Sequence, residues 1–212
     1  MKLHGFFRSG TSHRLRIALN LKNLSYEQVA VDLRKEQHLS EGFRQLNPQR
    51  LVPVLEVDGR PMVQTPAIIE WLEERYPQPA LLPQDAEARA HVRALAAIVG
   101  CDIHPLNNRR VLEALKSRFR ASQAVIDDWC GTWIAAGFDA FEAMVTARAA
   151  PGRFTFGDRP SLADVYLVPQ VEGARRFNVD LGRWPRLGAI DEACAALPAF
   201  QRARPAVQPD AA

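Results

Sequence analysis

Apolar and polar positions change their period several times along the chain, and the changes mark its elements. Leu3-His4-Gly5-Phe6-Phe7 is a short apolar run of the kind that makes a buried strand, and Arg14-Leu15-Arg16-Ile17-Ala18-Leu19-Asn20-Leu21 has the spacing of an amphipathic helix. Between them lies a hydroxyl-rich turn, Arg8-Ser9-Gly10-Thr11-Ser12-His13. Ser, Gly and Thr before a helical run serve its first unpaired N–H groups. The same geometry gathers N–H dipoles and hydroxyls at the carboxyl end of a strand, where α/β sheets place ligands. A helix cap and nothing more is the plainer account of that turn. Tyr26-Glu27-Gln28-Val29-Ala30-Val31 alternates with period two and predicts a second strand. The polar stretch 34–46 predicts a loop leading into a short helix, ended by Asn47-Pro48. Leu51-Val52-Pro53-Val54-Leu55-Glu56-Val57 predicts a third strand, with Pro53 at its beginning or on an exposed edge because proline donates nothing to a ladder. Asp58-Gly59 is a hairpin turn signal, followed by a fourth strand at Pro61-Met62-Val63-Gln64. Thr65-Pro66 then opens a helix, with the threonine as cap and the proline at its first position, running to about Arg75.

These elements form an α/β N-terminal thioredoxin-like domain over 1–77, a small mixed sheet covered by helices. Tyr76-Pro77-Gln78-Pro79-Ala80-Leu81-Leu82-Pro83 breaks helix three times and predicts a linker. Beyond it, 84–205 predicts an all-α C-terminal helical domain. Helical spacing from Asp85 to about Ala149 predicts two long helices with a break near Arg118 to Ser122. Pro151-Gly152 and Gly157-Asp158 bound a loop, and helices resume at Ser161, near Pro185 and near Pro198, before a loose tail after Arg204. Ser161-Leu162-Ala163-Asp164 is a capping box ahead of an apolar stretch, a device that argues stability rather than chemistry.

A length of 212 residues suits one large domain or two small ones, and a 47% hydrophobic, 24% charged composition is that of a globular protein with a real core. No apolar run approaches the ~18 residues that span a bilayer, and the N-terminus lacks a secretion signature. The three cysteines, Cys101, Cys130 and Cys194, are far apart and form neither a CxxC pair nor a metal-ligand spacing, which points to free thiols in a reducing cytoplasm and to no metal site. A net charge of +3 does not by itself imply nucleic acid. Arginine far outnumbers lysine, which suits binding of carboxylates or phosphates through planar guanidinium forks, and equally suits a GC-rich genome.

Several of these stretches occur together in the order of a known family. The chain resembles the glutathione transferase superfamily, and within it the zeta class, which contains maleylacetoacetate and maleylpyruvate isomerases. The resemblance covers the whole chain and rests on Phe7 to Leu19, which is similar to the zeta pattern Ser-Ser-Cys-x-x-Arg-x-Arg-Ile-Ala-Leu. It rests equally on Asn47-Pro48-Gln49-Arg50-Leu51-Val52-Pro53-Val54-Leu55, Gln64-Thr65, Asp102-Ile103-His104-Pro105-Leu106-Asn107-Asn108 and Asp158-Arg159-Pro160-Ser161-Leu162-Ala163-Asp164. It implies the glutathione transferase architecture, glutathione as cofactor and a homodimer. Ser9 stands where the family's thiol-contacting serine stands, and a hydroxyl at a helix N-terminus favours a thiolate. Thr11 stands where the zeta pattern usually has cysteine; it can donate a hydrogen bond but cannot react covalently, which puts any cysteine-dependent step in doubt. Val52-Pro53 matches the cis-proline segment that pairs with glutathione's cysteinyl unit, against an ordinary edge-strand proline. Gln64 and Thr65 match the residues that take the γ-glutamyl end, against a plain threonine cap.

The remaining implied residues carry open alternatives. His38 reaches the glycyl carboxylate or is a solvated loop histidine. His104 and Asn108, four apart on one helical face beside Pro105, line the inter-domain cleft near glutathione or satisfy backbone groups freed by the proline. The implied substrates are keto diacids, so the resemblance makes Arg8, Arg110 and Arg176 carboxylate-binding residues, with a solvated helix face as the alternative for Arg110. The implied reaction is glutathione-dependent cis–trans isomerisation of a maleyl keto diacid. Its rivals are a general transferase or dehalogenase acting on small electrophilic acids, and a non-catalytic interaction module on the same scaffold. The Cys-to-Thr departure leans toward maleylpyruvate.

Overall fold

The computed structural model describes residues 1–147 and 152–211. The expected ends at Ala149 and Pro151 lie outside those residues. Two compact units emerge, Met1–Ala80 with Ala195–Ala212, and Leu81–Cys194.

The first unit is built on four strands: β1 (Lys2–Gly5), β2 (Glu27–Ala30), β3 (Val54–Val57) and β4 (Arg60–Val63). Their order is β2-β1-β3-β4, with β1 parallel to β2 and antiparallel to β3, and β3 antiparallel to β4. The β3–β4 turn places Asp58 and Gly59 both at positive φ, +51° and +74°, the geometry that matches the right-handed twist of a hairpin. Helices α1 (Gly10–Leu21), α2 (Glu41–Leu46) and α3 (Thr65–Arg75) cover the sheet. β3 is shorter than the apolar run predicted, because Pro53 stands directly before it and the ladder starts at Val54.

Helix α1 departs from the expected amphipathic pattern. Every residue from Ser12 to Asn20 is buried, Arg14 and Arg16 included. The guanidiniums are accommodated by internal acceptors: Arg16 Nε donates to Ala203 O at 2.9 Å and its Nη2 to Phe7 O at 3.0 Å. Burial pulls the Arg16 pKa down to about 10, which leaves it charged at neutral pH. The tail expected to be loose is also tied down. Helix α9 (Pro198–Ala203) packs on α1, Gln208 donates to Arg202 O and Arg204 O, and Asp210 accepts the Phe7 N–H at 2.8 Å and Gln28 Nε2 at 2.9 Å.

The second unit is helical: α4 (Ala86–Ala97), α5 (Arg109–Phe119), α6 (Gln123–Thr146), α7 (Leu162–Arg176) and α8 (Pro185–Ala195). The expected break falls at 120–122, and a second interruption, a π-helical segment Ile98–Ile103 followed by a turn, separates α4 from α5. Two long helices are therefore three. Phe138, Phe141 and Trp184 fill the core, with Trp184 edge-on to Phe138 at 5.2 Å. The capping box forms: Ser161 N–H donates to Asp164 Oδ2 at 2.7 Å, and Ser161 Oγ accepts the Ala163 N–H at 3.2 Å. No helix among the described residues is long and apolar enough to cross a membrane.

Candidate active site

The β1–α1 turn is set by close packing. A Cβ on Gly5 would stand 3.0 Å from Ser12 Oγ, so a side chain there would push the start of the helix away by a few tenths of an ångström. Ser12 Oγ takes the Phe6 N–H at 3.3 Å, while Asp210 and Arg16 hold the N–H and C=O of Phe7. The segment just before Ser9 is thus fixed on both backbone groups. Ser9 is the N-cap of α1, its Oγ accepting the Ser12 N–H at 3.2 Å. Its Oγ also lies 2.9 Å from Thr11 Oγ1, which donates to Val52 O at 3.0 Å. Cap and candidate site are therefore the same group of atoms. Arg8, next to Ser9, is exposed.

Val52 enters from the segment before β3. Asn47 orders that segment, accepting the Gln49 N–H at 3.0 Å and donating to Leu51 O at 2.7 Å. The Val52–Pro53 peptide is cis. Val52 lies outside the ladder, and its side chain packs against Val31, Phe43 and Val54. Gln64 and Thr65 begin α3, but the threonine is not the cap that was expected. Gln64 is the N-cap and Thr65 is inside the first turn, buried, with Oγ1 accepting from Arg14 Nη1 at 3.0 Å. A threonine oxygen already committed to a buried guanidinium does not cap. Gln64 holds φ at +68°, a region costing a non-glycine residue on the order of 1 kcal/mol, and its side chain donates to Gln49 Oε1 at 2.5 Å. No side chain caps α3 and its first turn carries no acidic residue, so this N-terminus suits a carboxylate. His38 lies half-buried in a 3-10 turn, Gln37–Leu39.

The other candidates belong to the helical unit. His104 ends the π-helical segment and Asn108 is the N-cap of α5, accepting the Arg110 N–H at 3.2 Å. They do not share a helical face, because Pro105 cannot continue the hydrogen-bond ladder and the chain turns before α5 restarts it. Arg110 is exposed in the first turn of α5, while neighbouring Arg109 pairs with Glu113. Arg176 is the last residue of α7 and is exposed. Its charge acts on Cys130 of α6, whose thiol is pushed up to about 11, chiefly by burial and further by Asp127, with Arg176 opposing. Among the described residues, no group of His, Cys, Asp or Glu is placed to hold a metal ion.

Residues 3–80 match the family described as glutathione S-transferase, N-terminal domain. A maleylpyruvate isomerase from Ralstonia is 63% identical over 212 residues, covering 100% of both chains. A solved holo structure of a maleyl pyruvate isomerase, described as a bacterial glutathione S-transferase of the zeta class, superposes with a TM-score of 0.99 at 63% identity, covering 100% of each chain. The chain belongs to the zeta class of glutathione transferases. A neighbour solved with malonate and GSH bound, the maleylacetoacetate isomerase of Methylobacterium extorquens AM1, superposes with a TM-score of 0.95 at 37% identity over 100% of both chains.

Thr11, the position at which the chain departs from the pattern it resembles, spans Ser9 and Val52. Several residues that shape this candidate site carried no sequence signal of doing so. Asn47 and Gln49 lie within a quoted motif, yet nothing local links Gln49 to Gln64. Arg14 reads as a surface arginine of α1, and Asp210 as part of the tail. Gln49, Arg14 and Asp210 act across sequence separations that periodicity and spacing do not report.

Proposed function

We propose that the chain is a glutathione-dependent cis–trans isomerase that converts a maleyl keto diacid, maleylpyruvate in the first place and maleylacetoacetate as the alternative, to its fumaryl isomer. The full-length 63% identity to a maleylpyruvate isomerase carries this reading. Bound glutathione supplies a sulfur nucleophile able to add to, and leave, a double bond conjugated with a ketone. Ser9, at the positive end of α1, favours the thiolate over the thiol, whose free pKa is ~8.5. Val52 offers backbone outside the ladder to the peptide of the cofactor, and the uncapped α3 N-terminus at Gln64 and Thr65 takes the γ-glutamyl carboxylate. His38, His104 and Asn108 are assigned to glutathione by the resemblance alone. Arg8, Arg110 and Arg176 bind the substrate's carboxylates, and a guanidinium on the ketone oxygen holds the enolate charge that develops during rotation. The reading includes a homodimer in the cytoplasm.

An ultraviolet assay of the purified protein with each maleyl acid tests it. Isomerisation is expected only with glutathione present and with none consumed, and Ser9→Ala is expected to lower kcat by at least tenfold with glutathione saturating. Conjugation of small halo acids without isomerisation would establish the transferase instead, and an unchanged Ser9→Ala rate would remove the serine from the chemistry.

A further inference from the structure

The hydrogen bonds around Thr11 have a polarity that the distances determine. Val52 O is a carbonyl and only accepts, so the single hydroxyl proton of Thr11 lies on the 3.0 Å bond to it. The 2.9 Å contact between Thr11 Oγ1 and Ser9 Oγ must then run the other way, with Ser9 donating. Ser9 Oγ meanwhile accepts the Ser12 N–H at 3.2 Å. With its proton on Thr11, Ser9 can still accept a hydrogen bond from a neutral thiol but has no proton to offer a thiolate. To meet a thiolate, Ser9 must turn its proton outward. The Ser9–Thr11 bond survives that turn only when Thr11 also reverses and donates to Ser9, which withdraws the proton from Val52 O.

We propose that Thr11 is a positioning residue that couples cofactor docking at Val52 to thiol ionisation at Ser9 through this reversible pair of hydroxyls. The inference rests on the glutathione reading of the site. An extended peptide lying along Val52 brings its own amide N–H to the Val52 carbonyl and replaces the donor that Thr11 withdraws. Thr11 then donates to Ser9 and Ser9 to the sulfur, a chain in which each bond polarises and strengthens the next. The free site thus keeps its serine proton directed inward, and the docked cofactor turns it outward. A cysteine at this position, with its weak S–H donor, would hold both partners less firmly.

The test is a pH titration of the thiolate absorbance of glutathione bound to the intact protein, compared among wild type, Thr11→Val, Thr11→Ser, Ser9→Ala and the double variant. Thr11→Val preserves shape and removes the hydroxyl; it is expected to raise the apparent pKa of the bound thiol by about half a unit to one unit. Thr11→Ser restores the hydroxyl and is expected to return the wild-type value. Because Thr11 acts through Ser9, the double variant is expected to match Ser9→Ala, with no added shift. A Thr11→Val titration identical to wild type beside a shifted Ser9→Ala overturns the coupling alone. A Thr11→Val shift that persists without Ser9 also overturns it. An unshifted Ser9→Ala overturns the assignment of the site itself, which is a separate failure.

Discussion

Thr65 illustrates how one hydroxyl serves packing and site together. Its Oγ1 is the acceptor for Arg14 Nη1, and both residues are buried, at 4% and 3% exposure. Thr65→Val keeps the volume but removes an acceptor from a buried guanidinium, which costs about 1–3 kcal/mol. The expected outcome is a lower urea midpoint with the denaturant slope unchanged, together with a raised KM for glutathione as the start of α3 shifts; Thr65→Ser restores both. A denaturation midpoint equal to wild type would show that Arg14 finds another acceptor. At this scale the sequence was legible where local geometry is written in adjacent residues: Ser9 capping α1, proline after Val52, Gln64-Thr65 at the start of α3. It was misleading where a local rule competes with a distant partner. A threonine before proline reads as a cap, and only the fold brings Arg14 to it from 51 positions away. Thr11 is the same case, its role depending on Val52, 41 positions on.

Among whole elements, α7 is the one whose start is most strongly specified. Asp164 is fully buried and receives the N–H of Thr155 at 2.9 Å, the N–H of Ser161 at 2.7 Å and both hydroxyls. Burial pushes its carboxyl above the usual range and is opposed by those same hydrogen bonds from Thr155 and Ser161. Asp164→Ala strands two backbone donors in the interior and is expected to cost about 3 kcal/mol or more, lowering Tm by roughly 6–12 °C. Calorimetry checks this, and a loss under 1 kcal/mol would mean that water or a neighbouring group replaces the carboxylate. The capping box could be read directly because its two partners are three residues apart. The division of the 86–119 stretch into α4 and α5 could not, since apolar spacing continues through the π-helical segment and only Pro105 hints at the stop. Nor could the fate of the tail. Asp210 and Gln208 carry no periodic pattern, yet they bond Phe7, Gln28 and the end of α9.

For the molecule as a whole, the residues assigned to the two reactants fall unevenly between the two units. Ser9, Thr11, Val52, Gln64 and Thr65 all lie in Met1–Ala80, whereas Arg110 and Arg176 lie in Leu81–Cys194. On the proposed reading Arg8, in the first unit, also serves the substrate and His104 and Asn108, in the second, also serve glutathione, so the assignment divides by reactant and not strictly by unit. Variants should therefore separate by reactant. On the proposed reading Arg176→Ala removes a charged partner of a substrate carboxylate, an interaction of about 1.5–3 kcal/mol, so kcat/KM for the maleyl acid is expected to fall roughly 10- to 100-fold. Glutathione affinity measured by calorimetry is expected to stay within about twofold. Arg176 ends α7 and is exposed, so the substitution leaves the core of the helical unit intact and the kinetic loss can be attributed to the guanidinium. Equal losses in glutathione affinity and in turnover would contradict the separation, because they would place Arg176 among the groups that hold the cofactor. An Arg176→Lys variant sharpens the reading: a point charge without the planar fork should recover part of the affinity and little of the turnover if two-point carboxylate geometry orients the diacid for rotation.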